Sequence, residues 1–217
     1  MKYPGPTFRE DRDEVLHAAI REWQFGLLVT RNDEGFATSH LPWALDARRC
    51  QHGVIVGHLA GYNPQCKVPP GGTEALVVFQ GPHAYVSPSW YPGKREDPRQ
   101  VPTWDYLAVE ARGTLTAFDD DARLLDLLTR LTERNESGRE HRWRIDDAPD
   151  EYIREQMRHV VGIELHIEQL IGRYKLSQNR DAADREGARA GLAAAPTERE
   201  RAVAKAIAEV QRDKRER

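Results

Sequence analysis

The residues richest in recognition chemistry lie between Tyr85 and Tyr106. Five of the chain's 17 aromatic side chains fall there: Tyr85, Trp90, Tyr91, Trp104 and Tyr106. They are mixed with Ser87, Pro88, Ser89, Pro92, Lys94, Pro102 and Thr103. A core segment would draw on Leu, Ile and Val, and a disordered loop would hold fewer aromatics. Aromatic rings with hydroxyls and a lysine on proline-stiffened loops suit a flat ligand with polar edges. The same composition suits a subunit interface, where Trp and Tyr are favoured. The residues alone leave both readings open, and the two are compatible.

A second polar cluster reads Lys175-Leu176-Ser177-Gln178-Asn179-Arg180. Lys and Arg match phosphate or carboxylate groups, and Ser, Gln and Asn can bond the edge of a ring. The plainer reading is a helix-entry loop with Asn179 as the cap. A third segment, Gly57 to Lys67 (GHLAGYNPQCK), stands where a strand gives way to a turn, and offers His58, Asn63 and Lys67 as ligand contacts. Glu164, His166 and Glu168 share one side of a strand in the manner of a metal site. Alternation on a solvated strand is the simpler account, and no metal site is assigned. No Ser/His/Asp arrangement can be assigned from linear spacing, so no catalytic residue is named.

These segments must be carried by a framework, and the apolar pattern supplies one. A helix is expected from Asp11 to Trp23, with Asp11 as cap, Glu14 completing a capping box, and Val15, Leu16, Ala19, Ile20 and Trp23 on one face. The period then changes. Strands are expected at Gly26–Thr30, Phe36–Leu45 with a bend at Pro42, Gly53–Leu59, Glu74–Phe79, His83–Ser87 and Tyr106–Phe118. The first two read as a hairpin around Asn32–Gly35. A helix capped by Asp119 or Asp120 runs to about Asn135 on Leu124, Leu127, Leu128 and Leu131. A shorter helix starts at Pro149 and ends near His159. Val160–Leu170 is again a strand. Short strands with Gly/Pro punctuation and few helices between them imply an antiparallel barrel or sandwich with peripheral helices, mainly β with some α. From Pro196 onward 12 of 22 residues are charged and none is aromatic. Thr197 and Glu200 form a capping box there, and Ala202, Val203, Ala206, Ile207 and Val210 give a thin apolar stripe. The expectation is an amphipathic helix, frayed or packed on a partner, so residues 193–217 are set apart from a main domain over 1–192.

Composition limits the classes of function. The 217 residues carry 32 Lys+Arg against 35 Asp+Glu, a formal net charge of -3. A bulk polyanion binder would show a basic excess. With no helix-turn-helix, zinc finger or basic stripe in view, direct DNA binding is not expected. No apolar run reaches membrane-spanning length, and the first six residues lack the apolar stretch of a signal peptide. A cytoplasmic protein is expected, with Cys50 and Cys66 as free thiols.

Taken together, the ordered motifs resemble the PaiB-like family, FMN-binding negative transcriptional regulators. The matching stretches are Tyr3-Pro4 with Phe8, Ala37–Pro42 (ATSHLP), Phe79–Tyr91 (FQGPHAYVSPSWY), Val101–Tyr106 (VPTWDY) and Lys175–Arg180 (KLSQNR). The resemblance covers about residues 1 to 192. It implies an FMN-binding split barrel, an antiparallel Greek-key barrel with peripheral helices, forming a homodimer with cofactor sites at the interface. It implies cofactor contacts from Thr38, Ser39 and His40, from His58, Asn63 and Lys67, from Ser87, Trp90, Tyr91 and Lys94 with Trp104 and Tyr106, and from Lys175, Ser177, Gln178, Asn179 and Arg180. The chain departs from the family segment where Gly61 replaces an arginine, Tyr62 a small residue and Cys66 a tryptophan, and where Asp105 replaces an asparagine. A forked, permanently charged donor is thereby missing, and phosphate binding would fall to Lys67, Lys94, Lys175 or Arg180. The family is also related to haem-dependent piperazate synthases, which form an N–N bond on a hydroxylated ornithine. That relationship implies haem b as an alternative cofactor, with His58 as axial ligand and Tyr62 or Cys66 as a second ligand. The functions in contention are a flavin-dependent sensor or regulator, a flavin oxidoreductase and a haem enzyme.

Overall fold

The computed structural model describes residues 5–215, with side chains to residue 212; Tyr3 and Pro4 of the opening motif lie outside the described residues. Eight strands form one sheet: β1 (Arg9–Glu10), β2 (Phe25–Asn32), β3 (Gly35–Pro42), β4 (Ala44–Asp46), β5 (Val54–Ala60), β6 (Thr73–Val86), β7 (Thr103–Phe118) and β8 (Val160–Lys175). The order is β3-β2-β6-β7-β8-β5-β4, with β1 paired to β8. The helices are α1 (Asp13–Trp23), α2 (Asp121–Glu136), α3 (Asp150–Met157), α4 (Ala182–Ala193) and α5 (Glu198–Arg215). The chain divides into two compact units. One comprises Asp13–Phe79 with Glu110–Leu170, and the other Met1–Arg12 with Gln80–Val109 and Ile171–Arg217.

The first unit is a closed barrel, and its closure follows from one residue. β3 and β4 lie at opposite ends of the strand order, yet only Trp43 separates them in the chain. The sheet must therefore curl until its two ends meet. Pro42 withdraws a backbone donor at that corner, and Trp43 is buried. Gly57 on β5 lies under the corner. A Cβ there would come within 2.8 Å of Leu41 Cδ1 and 3.1 Å of the Pro42 carbonyl. The β2–β3 hairpin has the expected turn, and its register sets Leu27 opposite His40 and Leu28 opposite Ser39. On the outside of the barrel Ala44, Val54, Val56, Leu127 and Leu131 form a core cluster, with Phe118 packed against it. Leu124, Leu127 and Leu131 are the buried stripe of α2, whose cap is Asp120, accepting from Arg123 N at 2.8 Å.

Three expectations for this unit need correction. The first helix starts at Asp13. Asp11 does not cap it but binds Arg9, while Glu10 accepts from the Arg12 amide at 3.0 Å. The two strands expected at 74–79 and 83–87 are one strand running through Gly81-Pro82. The polar side of the Val160–Leu170 strand is solvated only in part, because Glu164 is buried and His166 half-buried while Glu168 is exposed.

The second unit is built on the far halves of β6, β7 and β8, with β1 pairing Arg9 to Arg173. Helix α4 follows the expected helix-entry loop but begins after Asp181; that side chain accepts from Asp184 N at 2.8 Å, so Asp181 and not Asn179 is the cap. The residues of α4 that face Trp90 are glycines. A Cβ on Gly187 would fall 2.0 Å from the Trp90 carbonyl oxygen, and one on Gly191 would fall 2.3 Å from the indole ring. The final helix does not need an outside partner. Val203, Ala204, Ala206 and Ile207 of α5 are buried, and α5 packs on α4.

Candidate functional site

In the barrel unit, β3 sorts its side chains strictly by parity. Ser39 faces inward to a hydrogen-bonded network. Asn63 Nδ2 donates to Ser39 Oγ at 2.9 Å, Ser39 donates to Gln65 Oε1 at 2.5 Å, and Gln65 Nε2 donates to Thr30 Oγ1 at 2.9 Å. Asn63 Oδ1 also accepts from Gln65 N. Ser39 and Asn63 therefore fix the turn Pro64–Cys66 to the barrel wall. Gln65, buried at the centre of the network, escaped the sequence reading because its partner Thr30 lies 35 residues away. Thr38 and His40 face outward and are exposed, and the imidazole of His40 stacks on Phe25 at 6.0 Å. Lys67 is exposed after the turn.

His58 sits on β5 opposite Gly162 of β8, on the face shared by Val56 and Glu164. Burial holds its pKa below the ordinary imidazole range, so the ring is neutral, and its Nδ1 is buried with no partner among the described residues. The Phe118 ring covers Gly162 so closely that a Cβ would lie 2.3 Å from it. Tyr62 projects into solvent, and Cys66 donates to the Ala60 carbonyl at 3.5 Å, its thiol pushed up by burial. At Gly61 the nearest atom to an added Cβ is 3.4 Å away, so the missing arginine is not excluded by crowding.

In the second unit, the Lys175–Arg180 motif turns inward. The Lys175 ammonium donates to Thr103 Oγ1 at 2.5 Å and to the Trp104 carbonyl at 2.6 Å, and lies 3.6 Å from Asp105 Oδ1. Ser177 donates to Asp105 Oδ2 at 2.7 Å. Asp105 is wholly buried, and this burial raises its pKa against the opposing pull of Ser177 and Lys175. Gln178 closes the same turn, accepting from Leu176 N and donating to the Tyr174 carbonyl. Arg180 donates to Gln100 and stacks 4.7 Å over Tyr91, a buried ring. Asn179 is exposed, and Ser87 accepts from Ser89 N as the cap of a short turn that carries Trp90 against α4. The exposed ligand-like surface of this unit is elsewhere. Trp104 is 45% exposed, stacks on His83 at 5.9 Å and meets Tyr85 edge-on at 6.3 Å. Lys94 is exposed nearby in sequence, while Tyr106 is half-buried. His83 and Tyr85 were not among the expected contacts, although both lie in the family's most specific run.

No group of three or more metal-ligating side chains occurs among the described residues. Nor is any helix there long and apolar enough to cross a membrane.

The architecture is that of the split-barrel proteins to which flavin-binding chains of known structure belong. The chain is similar to the FAD- and haem-binding protein of Mycobacterium smegmatis, with a TM-score of 0.57 and 16% identity over 83% of this chain and 80% of that one. It is also similar to the flavocytochrome Anf3 of Azotobacter vinelandii, with a TM-score of 0.56 and 9% identity over 77% and 69%. A family model described as "Putative FMN-binding domain" matches residues 2–169, and the chain belongs to that family. Among curated relatives, the protease synthase and sporulation protein PAI 2 of Bacillus subtilis is 34% identical over 182 residues, 84% of each chain. A protein of Aspergillus fumigatus is 30% identical, covering 95% of this chain and 97% of its own. These matches bear out the PaiB-like resemblance.

Proposed function

We propose that the protein binds a flavin mononucleotide and acts as a flavin-dependent sensor, as a homodimer with its cofactor against the subunit interface. The observation that carries this reading is the outer face of the β2–β3 hairpin. Thr38 and His40 stand exposed there beside Phe25 and Phe36, with Leu27 and Val29 half-buried between them. Phe36 is 79% exposed. An apolar surface edged by a hydroxyl and an imidazole suits a flat ring with polar edges, and the same surface is what a second copy would cover. Family membership and the flavin-binding proteins of the same fold support the choice of ligand.

The donor set fits the group. Lys67 of the same unit is exposed, and its side chain has no hydrogen bond or ion pair among the described residues, so it can meet a phosphate. Lys175 and Arg180 are engaged within their own unit and are proposed as positioning residues. A bound flavin supplies reversible one- and two-electron transfer. The chain's own part is to hold the ring on the apolar hairpin face, to bond its edge from Thr38 and His40, and to keep bulk water away by dimerisation. A regulatory output agrees with the name of the Bacillus subtilis relative. Direct DNA binding has no basic stripe to support it.

Haem does not fit the proposed ligand as well. Phe118 occupies the ground beside Gly162 that a porphyrin on His58 would need, and Cys66 is turned to a backbone carbonyl.

The test is titration of the purified full chain with FMN, followed by absorbance near about 370 and 450 nm and by flavin fluorescence. Saturable uptake that is weakened at least about tenfold by Lys67→Ala, roughly the loss of one charged hydrogen bond, supports the reading. Absence of uptake for both FMN and FAD overturns it.

A further inference from the structure

On the outer wall of the barrel unit, at the β5–β8 face that also carries His58, three side chains line up in series. Cys50 is exposed in the turn between β4 and β5, and its Sγ lies 3.7 Å from His166 Nδ1. The other ring nitrogen, Nε2, lies 3.0 Å from Glu164 Oε1. Glu164 is buried, and Arg49 grips it with two bonds at 3.0 and 3.2 Å while Arg123 adds a third at 2.9 Å. Burial alone would raise the pKa of this carboxyl, but Arg49, His166 and Arg123 hold it below the ordinary range. Glu164 is therefore an ionised, acceptor-only group. The hydrogen of the His166–Glu164 bond must sit on Nε2, which leaves Nδ1 with a lone pair directed at the Cys50 thiol. A nucleophile, a base and a group that orients the base, each in reach of the next, is the arrangement that activates a thiol.

We propose that Cys50, His166 and Glu164 form a reactive-thiol site that undergoes exchange with small anionic disulfides. Cys50 gives its proton to His166 Nδ1, and the thiolate attacks one sulfur of the disulfide. The bond from Cys50 Sγ to that sulfur forms as the disulfide bond breaks. The other half leaves as a thiolate and takes the proton from His166. The Cys50 sulfur is oxidised and the departing sulfur reduced, so the step balances with the disulfide as its own oxidant.

The surroundings set the preference for an anion. Arg48 and Arg49 immediately precede Cys50 in its turn. A cavity of about 320 Å³, lined by Arg49, Arg123, Arg130, Glu164, Asp126 and Phe118, opens beside the relay. The charged groups around the thiol are Arg48 and Arg49 of its own turn, Asp46 of β4, Arg123 of α2, and His166, Glu164 and Glu168 of β8. Cations adjoin the thiol, whereas the carboxylate nearest to it is neutralised by two arginines.

The experiment treats the intact, reduced chain with oxidised glutathione at pH 7 and reads site occupancy by peptide mass mapping. Cys66 serves as reference within the same molecule, because it is half-buried and bonded to a backbone carbonyl. Cys50 is expected to form the mixed disulfide at least about tenfold faster than Cys66, and His166→Gln to slow Cys50 about tenfold at pH 7 while converging with the unaltered chain near pH 10, where a thiol ionises unaided. Equal rates for the two cysteines, or an unchanged rate at Cys50 in His166→Gln at pH 7, overturn the proposal. None of these readings depends on flavin.

Discussion

The carboxylate of Asp105 accepts a 2.7 Å hydrogen bond from Ser177, and the backbone of Ser177 lies in the left-handed region at φ 58° to make it. The two residues are 72 positions apart, and both are buried. A residue without a Cβ would enter that backbone region with no steric cost. Serine accepts the cost because its hydroxyl is the hydrogen-bond partner of a buried carboxyl group. The motif Lys175–Arg180, whose residue types match a phosphate site, is thus used here to hold the start of β7.

This arrangement predicts an order among substitutions at Ser177. Ser177→Ala loses the bond and retains the strain, and is expected to cost about 2 kcal/mol, the usual range for stranding a buried partner. Ser177→Gly loses the same bond but relaxes the backbone, so it should cost less than alanine by about 0.5–1 kcal/mol. Chemical denaturation of the two variants beside the unaltered chain checks the order. Equal losses would mean that the left-handed backbone carries no strain.

Asp105 itself titrates against stability. Burial raises its pKa in the fold above the value in the unfolded chain. At intermediate pH the folded state then binds more protons than the unfolded one. The stabilisation is complete below the unfolded carboxyl range and falls as pH rises through the folded value. Asp105→Asn removes that dependence and keeps an acceptor for Ser177. It should leave stability at pH 7 unchanged or higher by about 1 kcal/mol, as for other buried charges replaced by neutral groups. Melting temperatures from pH 5 to 8 provide the comparison.

Glu164 carries the opposite sign. Its pKa is lowered in the fold, so its contribution is present above the unfolded carboxyl range and is lost as pH falls through the folded value. Glu164→Gln removes the partner of Arg49, Arg123 and His166 at once. Because both arginines are partly solvated, the expected loss at pH 7 is about 2 kcal/mol, short of that for a fully buried pair. The acid limb of the stability profile should flatten in the same variant.

How far the sequence disclosed all this depends on the range of the interaction. The strands, the hairpin turn and the leucine stripe of α2 are local patterns, and they are legible. The bend at Pro42 is legible too, but not its consequence, since only the sheet order reveals that Trp43 bridges opposite edges. Helix α4 is legible only as a helix entry near Asn179, because Gly187 and Gly191 weaken the propensity of its body. What stabilises it is Trp90, almost a hundred residues earlier, for which those glycines make room. Residue types announced polar chemistry at Ser39, Asn63, Lys175 and Ser177 correctly. They could not say whether the polar groups face a ligand or one another, since Gln65 and Asp105 decide that from a distance.

The notch predicts its own failure. Gly187→Ala places a methyl group 2.0 Å from a backbone oxygen, which no rotamer can relieve. The helix must shift, at a cost of about 1–3 kcal/mol for overpacking. Gly191→Ala meets the Trp90 ring, a side chain that can move, and should cost less while altering tryptophan fluorescence. Similar losses for both would show that α4 moves as a rigid piece.

The hairpin face separates assembly from folding. Phe36 is exposed, and the Arg31 guanidinium lies over it, 5.9 Å from the ring centroid. Removing it leaves no cavity, so Phe36→Asp should change unfolding free energy by less than about 0.5 kcal/mol, the range for surface positions. A charge on an apolar contact surface is nevertheless costly when a second copy must cover it. Sedimentation should therefore show the unaltered chain at twice its 24.8 kDa mass and the variant at the mass of one chain. Thr38 and His40 share this face, so FMN affinity should fall with the dimer. A variant that becomes monomeric yet binds FMN as before would detach the cofactor from the interface. A variant that stays dimeric would place the contact on another face of the molecule.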